Sequence, residues 1–208
     1  MSASKLPILN QIANSRPANW RHPEVNVEVL QSDLRKSLEG EVRFDAGSIG
    51  MYSLDGSNYQ QTPIGVVIPK SMEDAVATIQ VARKHGAPIL SRTGGTSLAG
   101  QTCNYAVVID WTKYLNRILN INIGEKWAWC EPGVIRDQLA NAVCQHNLTY
   151  GPDPSTHTHC CIGGMIGNNS CGAHAQFGGK AVDNLEELEI LLYDGTRMNV
   201  GWMNDMEM

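Results

Sequence analysis

The stretch Arg92-Thr93-Gly94-Gly95-Thr96-Ser97-Leu98-Ala99-Gly100 gathers three glycines and three hydroxyl side chains in one short run. Glycines let successive backbone N–H groups turn inward into a concave nest for phosphate oxygens, the hydroxyls add donors, and Arg92 adds charge. A tight surface turn would account for Gly94-Gly95 but not for the hydroxyl run, so phosphate binding is the reading these residues favour. From Gly95 to Thr102 the chain also approaches a nucleoside-triphosphate P-loop, reading G-T-S-L-A-G-Q-T. Gln101 stands where that motif needs lysine, and the apolar run 106–109 follows where it needs a helix. Triphosphate hydrolysis thereby loses both its cation and its helix dipole.

A second constellation is Gly151-Pro152-Asp153-Pro154-Ser155 followed by Ile162-Gly163-Gly164-Met165-Ile166-Gly167-Asn168-Asn169-Ser170-Cys171-Gly172. It is not a Rossmann fingerprint, because no G-x-G-x-x-G opens a helix after a strand. It offers a wide backbone surface with Asn amides and a Ser hydroxyl, suited to a long ligand with polar edges and a flat ring. The alternative is an irregular glycine-rich loop. Asp153, held between two prolines, either aims its carboxylate at a ligand or braces the loop.

His157, His159, Cys160, Cys161, Cys171 and His174 crowd into the same region and raise the question of a metal. Their spacing fits no standard zinc pattern, and adjacent cysteines do not readily share one tetrahedral ion. Small buried thiols are the better reading of Cys160 and Cys161. Trp111, Trp127 and Trp129 read as packing residues, and Glu186, Glu187 and Glu189 as a solvated strand start.

These groups need a scaffold, and the hydrophobic pattern supplies one. Val27, Leu30, Leu34 and Leu38 keep helical spacing, which predicts a helix over about 25–38 in a leader that packs on the domain. Gly65-Val66-Val67-Ile68 is a buried strand stopped by Pro69, and Ser71 with Asp74 opens a helix in the manner of a capping box. His85-Gly86 closes it, Pro88-Ile89-Leu90 starts a strand, and Ala106–Ile109 makes another after the glycine loop. The result is a β-α-β-loop-β unit. Leu119, Ile121 and Ile123, then Gly124-Glu125, then Trp127-Ala128-Trp129 predict a hairpin, and 134–146 an amphipathic helix. A long loop is expected from Tyr150 to Lys180, followed by a hairpin turning at Asp194-Gly195. Loops of that length in compact domains usually serve a function.

Composition limits the partners. With 208 residues, 42% hydrophobic and 18% charged, the chain is of ordinary globular type, and a net charge of -5 offers no field for nucleic acid. The first residues lack an apolar signal region, and no run approaches the ~18 apolar residues of a membrane span. Six cysteines without C-x-x-C spacing point to reduced thiols, and the cytoplasm is the expected compartment.

Five segments together resemble one family: P-I-G-V-V-I-P (63–69), S-R-T-G-G-T-S-L-A-G-Q-T (91–102), G-P-D-P-S-T-H (151–157), I-G-G-M-I-G-N-N-S-C-G-A-H (162–174) and Y-D-G (193–195). They are similar to the PCMH-type FAD-binding domain of the FAD-linked oxidases, in the branch of D-lactate, glycolate and D-2-hydroxyglutarate dehydrogenases, and cover about residues 40 to 200. The resemblance implies an α+β fold of two lobes, about 45–112 and 113–203, after the leader 1–44. It also implies that loop 92–98 wraps the FAD pyrophosphate and that 152–174 lines the ribityl chain and flavin ring. The implied site residues are Arg92, Thr93, Gly94, Gly95, Thr96, Ser97 and Leu98 in the first motif. Pro152, Asp153, Gly163, Gly164, Gly167, Asn168, Ser170, Cys171 and Gly172 come from the second.

Members with a covalent flavin carry histidine where this sequence has Thr96, and no cysteine takes the other linking position, so non-covalent FAD is expected. The implied activity is oxidation of a D-2-hydroxy acid by hydride transfer to FAD, with an electron acceptor as second partner. The family places its substrate-binding cap after this domain, and in this branch often an iron–sulfur region. The catalytic groups are expected on that cap, with His174 a lesser candidate within the chain. Peripheral association with the membrane is the alternative to a purely cytoplasmic location. The reading from a different class is a module that holds FAD or a metal without turnover.

Overall fold

A computed structural model describes residues 24–201. The first 23 residues of the leader and the last two of the second lobe lie outside it. Asn26 caps helix α1 (Val27–Ser37) by accepting from the Val29 N–H at 3.1 Å. Leu30 and Leu34, one turn apart, are fully buried against Ala82, Val67 and Val107. The helix expected in the leader is therefore docked. Next comes a strand that periodicity does not signal, β1 (Glu41–Arg43), which pairs antiparallel with β2 (Gly65–Ile68) through Val42 opposite Val67. The sheet thus begins before residue 45, inside the segment read as a leader. Helix α2 (Ala46–Tyr52) follows, capped by Asp45, whose carboxylate accepts from the Ser48 N–H at 2.9 Å.

Ser71 caps α3 (Met72–Lys84), accepting from the Asp74 N–H at 3.2 Å. Asp74 does not complete a reciprocal box with Ser71. Its carboxylate accepts instead from the N–H groups of Lys70 at 2.9 Å and Glu39 at 3.0 Å, which fastens the helix start to the entrance of β1. Gly86, at φ +63°, ends the helix, and β3 (Ile89–Arg92) and β4 (Val107–Asp110) complete a sheet of order β1-β2-β4-β3. Strand β4 lies parallel to both β2 and β3. Val107 faces the α1 core while Val66, Ile68 and Val108 face Tyr52, Leu90 and Tyr114. Burial on both faces is why these strands read as unbroken apolar runs.

The second lobe opens with the hairpin β5 (Ile118–Asn122) and β6 (Trp127–Cys130). A register shift between Ile118 and Asn120 turns Ile118 to the core and leaves Leu119 half exposed. Helix α4 (Arg136–Val143) contributes Leu139 to a core shared with Val134, Cys160, Ile162 and Met165. The stretch 150–180 is not one loop, for it holds helix α5 (Ile162–Gly167) and the short α6 (Ala175–Gly178). Glycines are poor helix formers, but Gly163 and Gly164 are where neighbours come closest, and Ile162 and Met165 bury one face of the turn. The last hairpin, β7 (Glu187–Leu191) and β8 (Arg197–Gly201), turns through Asp194-Gly195 as expected. It leans on the first lobe: Leu191 packs on Ala75 and Ile79, the Tyr193 hydroxyl donates to the Ala87 carbonyl at 3.0 Å, and Arg197 meets Glu73 at 3.3 Å. The architecture is α+β. Among the described residues no helix is long and apolar enough to cross a membrane.

Candidate functional site

The loop from β3 to β4 and the start of α5 face one another across a cleft of about 440 Å³. Thr93, Gly95, Thr96, Ser97 and Leu98 line one wall, and Gly164, Asn168 and Ser170 the other. Both glycine-rich constellations therefore serve one site. Further residues of the same motifs line it too: Ala99, Gln101 and Thr102 extend the first wall, and Pro154, Ser155, Thr156 and Met165 form the rest together with the buried thiols Cys160 and Cys161.

Loop geometry favours an anion. Gly95 stands at φ +64°, and among the described residues no hydrogen-bond acceptor takes the N–H groups of Gly95, Thr96, Ser97 or Leu98. A run of unspent N–H dipoles at such a turn is a nest. No described lining residue is charged, so the dipoles carry the attraction. Gly164 lets the walls approach, for a β-carbon there would lie 2.5 Å from the Thr93 Oγ1.

Other residues of the two motifs are not among those that line this cleft. Arg92 does not line the cleft: its Nη1 donates to the carbonyls of Leu54 at 2.8 Å, Thr102 at 3.2 Å and Tyr52 at 3.5 Å, and its guanidinium stacks over the Tyr52 ring. Gly94 borders a smaller cavity of about 270 Å³ with His159 and Cys161. The Pro152 carbonyl accepts from Arg136 Nε at 2.9 Å, and Asp153 accepts from the backbone and ring of His174. Gly172 lies so close that a β-carbon would come within 2.2 Å of Asp153. Gly163 abuts Pro132, while Gly167 and Cys171 are exposed. The bracing role for Asp153 is the one that its contacts support.

The histidines and cysteines do not converge. His157 pairs with Asp137 at 2.7 Å, His159 with the Thr158 hydroxyl, and Cys160 Sγ lies 3.5 Å from Met165 Sδ. Among the described residues no three His, Cys, Asp or Glu side chains form a metal-holding group. Burial pushes the Cys161 thiol up to about 11, against the opposing pull of the Gly94 N–H and Thr93 hydroxyl, so it is neutral at the cleft floor. Burial also acts on Asp55, beneath the loop, but donors on Ser57 and Thr102 outweigh it and hold the carboxyl down at about 2.

A family profile described as FAD binding domain matches residues 63–201, which include both walls of the cleft. The chain belongs to the FAD-linked oxidase family. Relatives include D-2-hydroxyglutarate dehydrogenase of Pseudomonas putida, 32% identical over 85% of this chain and 18% of that protein. Glycolate oxidase subunit GlcD of Escherichia coli is 33% identical over 86% of this chain and 36% of its own length. The chain thus spans little more than a third of these relatives at most. Among solved structures, 6-hydroxy-D-nicotine oxidase from Arthrobacter nicotinovorans superposes with TM-score 0.69 at 22% identity, over 79% of this chain and 36% of that one. p-Cresol methylhydroxylase superposes with TM-score 0.71 at 18% identity, over 84% and 35%. At those identities the likeness is one of fold.

FAD is the cofactor of this FAD-linked oxidase domain, and the cleft fits its chemistry. The unspent N–H groups of residues 95–98 and the hydroxyl of Thr96 suit a pyrophosphate, while the Ser97 hydroxyl donates to Gln101 Oε1 at 2.7 Å and shapes the loop. Cys160, Cys161 and Met165 offer an apolar floor, and Asn168 and Ser170 offer polar edges.

Proposed function

We propose that this chain holds FAD non-covalently and forms the FAD-binding part of an oxidoreductase acting on a D-2-hydroxy acid of the lactate, glycolate or 2-hydroxyglutarate type. The observation that carries this reading is the meeting of residues 93–102 and 154–170 on one cleft whose anion donors are unspent. The substrate class rests on the names of the relatives. Bound FAD would supply the sink for the hydride that leaves the substrate carbon. The chain's own work is to hold and orient. Residues 95–98 present N–H dipoles to the pyrophosphate, Thr93 and Gly164 keep the walls close, and Thr96 supplies a hydroxyl where a histidyl link would otherwise form.

A hydroxy acid also needs a cation for its carboxylate and a base near its hydroxyl. No described residue lining the cleft is basic, and His174 is turned to Asp153, so these groups are proposed to come from further polypeptide, the family's cap. An electron acceptor, and in this branch an iron–sulfur region, would complete the route.

The test is stepwise. The purified chain is assayed for FAD stoichiometry, then mixed anaerobically with D-lactate, glycolate or D-2-hydroxyglutarate while the visible flavin absorption is followed. We expect stoichiometric FAD and no bleaching, with bleaching restored on fusion to a relative's substrate domain. A chain without flavin overturns the proposal. Rapid stereospecific bleaching by the chain alone overturns the placement of substrate groups outside it.

A further inference from the structure

The stretch from Tyr52, the last residue of α2, to Ser57 carries no motif, yet it grips the phosphate loop at three points. At the loop's entry, Arg92 Nη1 reaches the Leu54 carbonyl at 2.8 Å while also bonding the Thr102 carbonyl at the exit, 3.2 Å away. One guanidinium therefore ties both ends of the loop to a third strand of chain. At the exit, one oxygen of Asp55 accepts from the Thr102 N–H at 3.2 Å and the Thr102 hydroxyl at 3.0 Å, and its other oxygen accepts from Ser57. In the middle, the Gly56 N–H donates to the Gly95 carbonyl at 2.8 Å. A β-carbon on Gly56 would stand 3.1 Å from the Ser97 carbonyl, and one on Gly95 2.6 Å from Arg92 Nη2, so both glycines serve the fit of this buttress.

Holding the loop's carbonyls from beneath leaves its N–H groups for the cleft. The Gly95 carbonyl is spent on Gly56, whereas the N–H groups of residues 95–98 have no acceptor among the described residues. We infer that Arg92 and Asp55 are positioning residues for the phosphate loop, acting on FAD through the loop's backbone and not by contact with phosphate. This rests on the reading of the cleft as the FAD site. Arginine is suited to the task because its guanidinium plane stacks over Tyr52 while one of its nitrogens, Nη1, reaches all three carbonyls, and a lysine has no plane to stack there. The 52–57 segment then sets cofactor affinity without touching the cofactor.

The experiment compares the 208-residue chain with Arg92→Lys, Arg92→Gln, Asp55→Asn and Thr102→Val, measuring dissociation constants for FAD and ADP at several salt concentrations and the thermal unfolding of the flavin-free protein. Loss of a hydrogen bond to a charged group predicts FAD binding weaker by on the order of tenfold or more for Arg92→Lys, Arg92→Gln and Asp55→Asn. ADP should weaken in parallel, and the salt dependence should match wild type. Thr102→Val, which deletes a single hydroxyl and keeps the fold safest, should weaken FAD by roughly threefold to tenfold. Arg92→Lys with wild-type affinity beside a weak Arg92→Gln whose binding is less salt-sensitive would show a direct charge contact and overturn the inference. Unchanged affinity in the Asp55 and Thr102 variants would overturn it as well. A wild-type chain that holds no FAD would instead defeat the underlying reading, and the wild-type measurement alone reveals that.

Discussion

The Thr93 hydroxyl occupies the space in which a β-carbon on Gly164 would fall, with only 2.5 Å between them. Two motifs far apart in the chain are thus in atomic register, and the absence of a side chain at 164 is what permits it. Gly164→Ala should force the loop or α5 aside and weaken FAD by on the order of tenfold, in line with the about 1–3 kcal/mol cost of overpacking. Adding Thr93→Ala should return part of the loss. A double-mutant cycle on FAD affinity checks this, and strictly additive effects would deny the contact.

Gly95 sits at φ +64°, where a β-branched residue is strained, and its missing side chain also makes room for Arg92. Gly95→Val should lose FAD on gel filtration while far-ultraviolet circular dichroism stays that of wild type. The strain alone is worth about 1–3 kcal/mol. Retention of flavin by a folded Gly95→Val chain would remove the nest from the site.

Acid precipitation of the flavin-loaded chain should leave all the yellow colour in the supernatant. Thr96 and its neighbours offer no side chain for a covalent link, so colour in the washed pellet would contradict a non-covalent flavin.

Glu41 links the edge strand to the segment after β4. Lys113 above all, then the Tyr114 hydroxyl at 2.6 Å and Arg43, outweigh the effect of burial and bring its carboxyl down to about 2. A depressed folded pKa stabilises the protein above the ordinary value of 4.5, and that stability drains as pH falls from there toward 2. Glu41→Gln should therefore melt earlier than wild type at pH 7, with the difference shrinking over that acid range. FAD affinity at pH 7 should be unchanged. Equal melting of the two proteins at pH 7 would contradict the coupling.

Alkylation should sort the thiols. Cys144 and Cys171 are exposed, whereas Cys161 is 3% exposed and its thiol is raised to about 11. Mass spectrometry after brief iodoacetamide treatment at pH 8 should show the first two modified and Cys161 spared, with FAD slowing Cys161 further. Faster labelling of Cys161 than of Cys144 would place it outside the cleft floor.

Elements with local punctuation were legible in the sequence. Ser71 and Gly86 bracket α3, and Asp194-Gly195 sets the last hairpin, because each signal acts within a few residues. Strand β1 was not legible, since three residues carry no periodicity and extend only because β2 offers a ladder. Helix α5 was hidden by its glycines, which answer to Pro132 and Thr93 and not to helix propensity. In the site, the residue types pointed to phosphate, but the fate of Arg92 depended on carbonyls of residues 52, 54 and 102. No local pattern announces such a partner.

Strands β3 and β4 are parallel neighbours, yet residues 93–106 join them without a helix. Parallel strands are ordinarily bridged by a helix that packs back on the sheet. Here the bridge is loop 93–106, which on the reading of the cleft as the FAD site holds the cofactor's phosphates, so bound FAD would enter the folding equilibrium. At free FAD a hundredfold above its dissociation constant, the native state gains about 2.7 kcal/mol over the empty one. The melting temperature then becomes a gauge of flavin supply, and a cell starved of riboflavin would keep less of this chain intact.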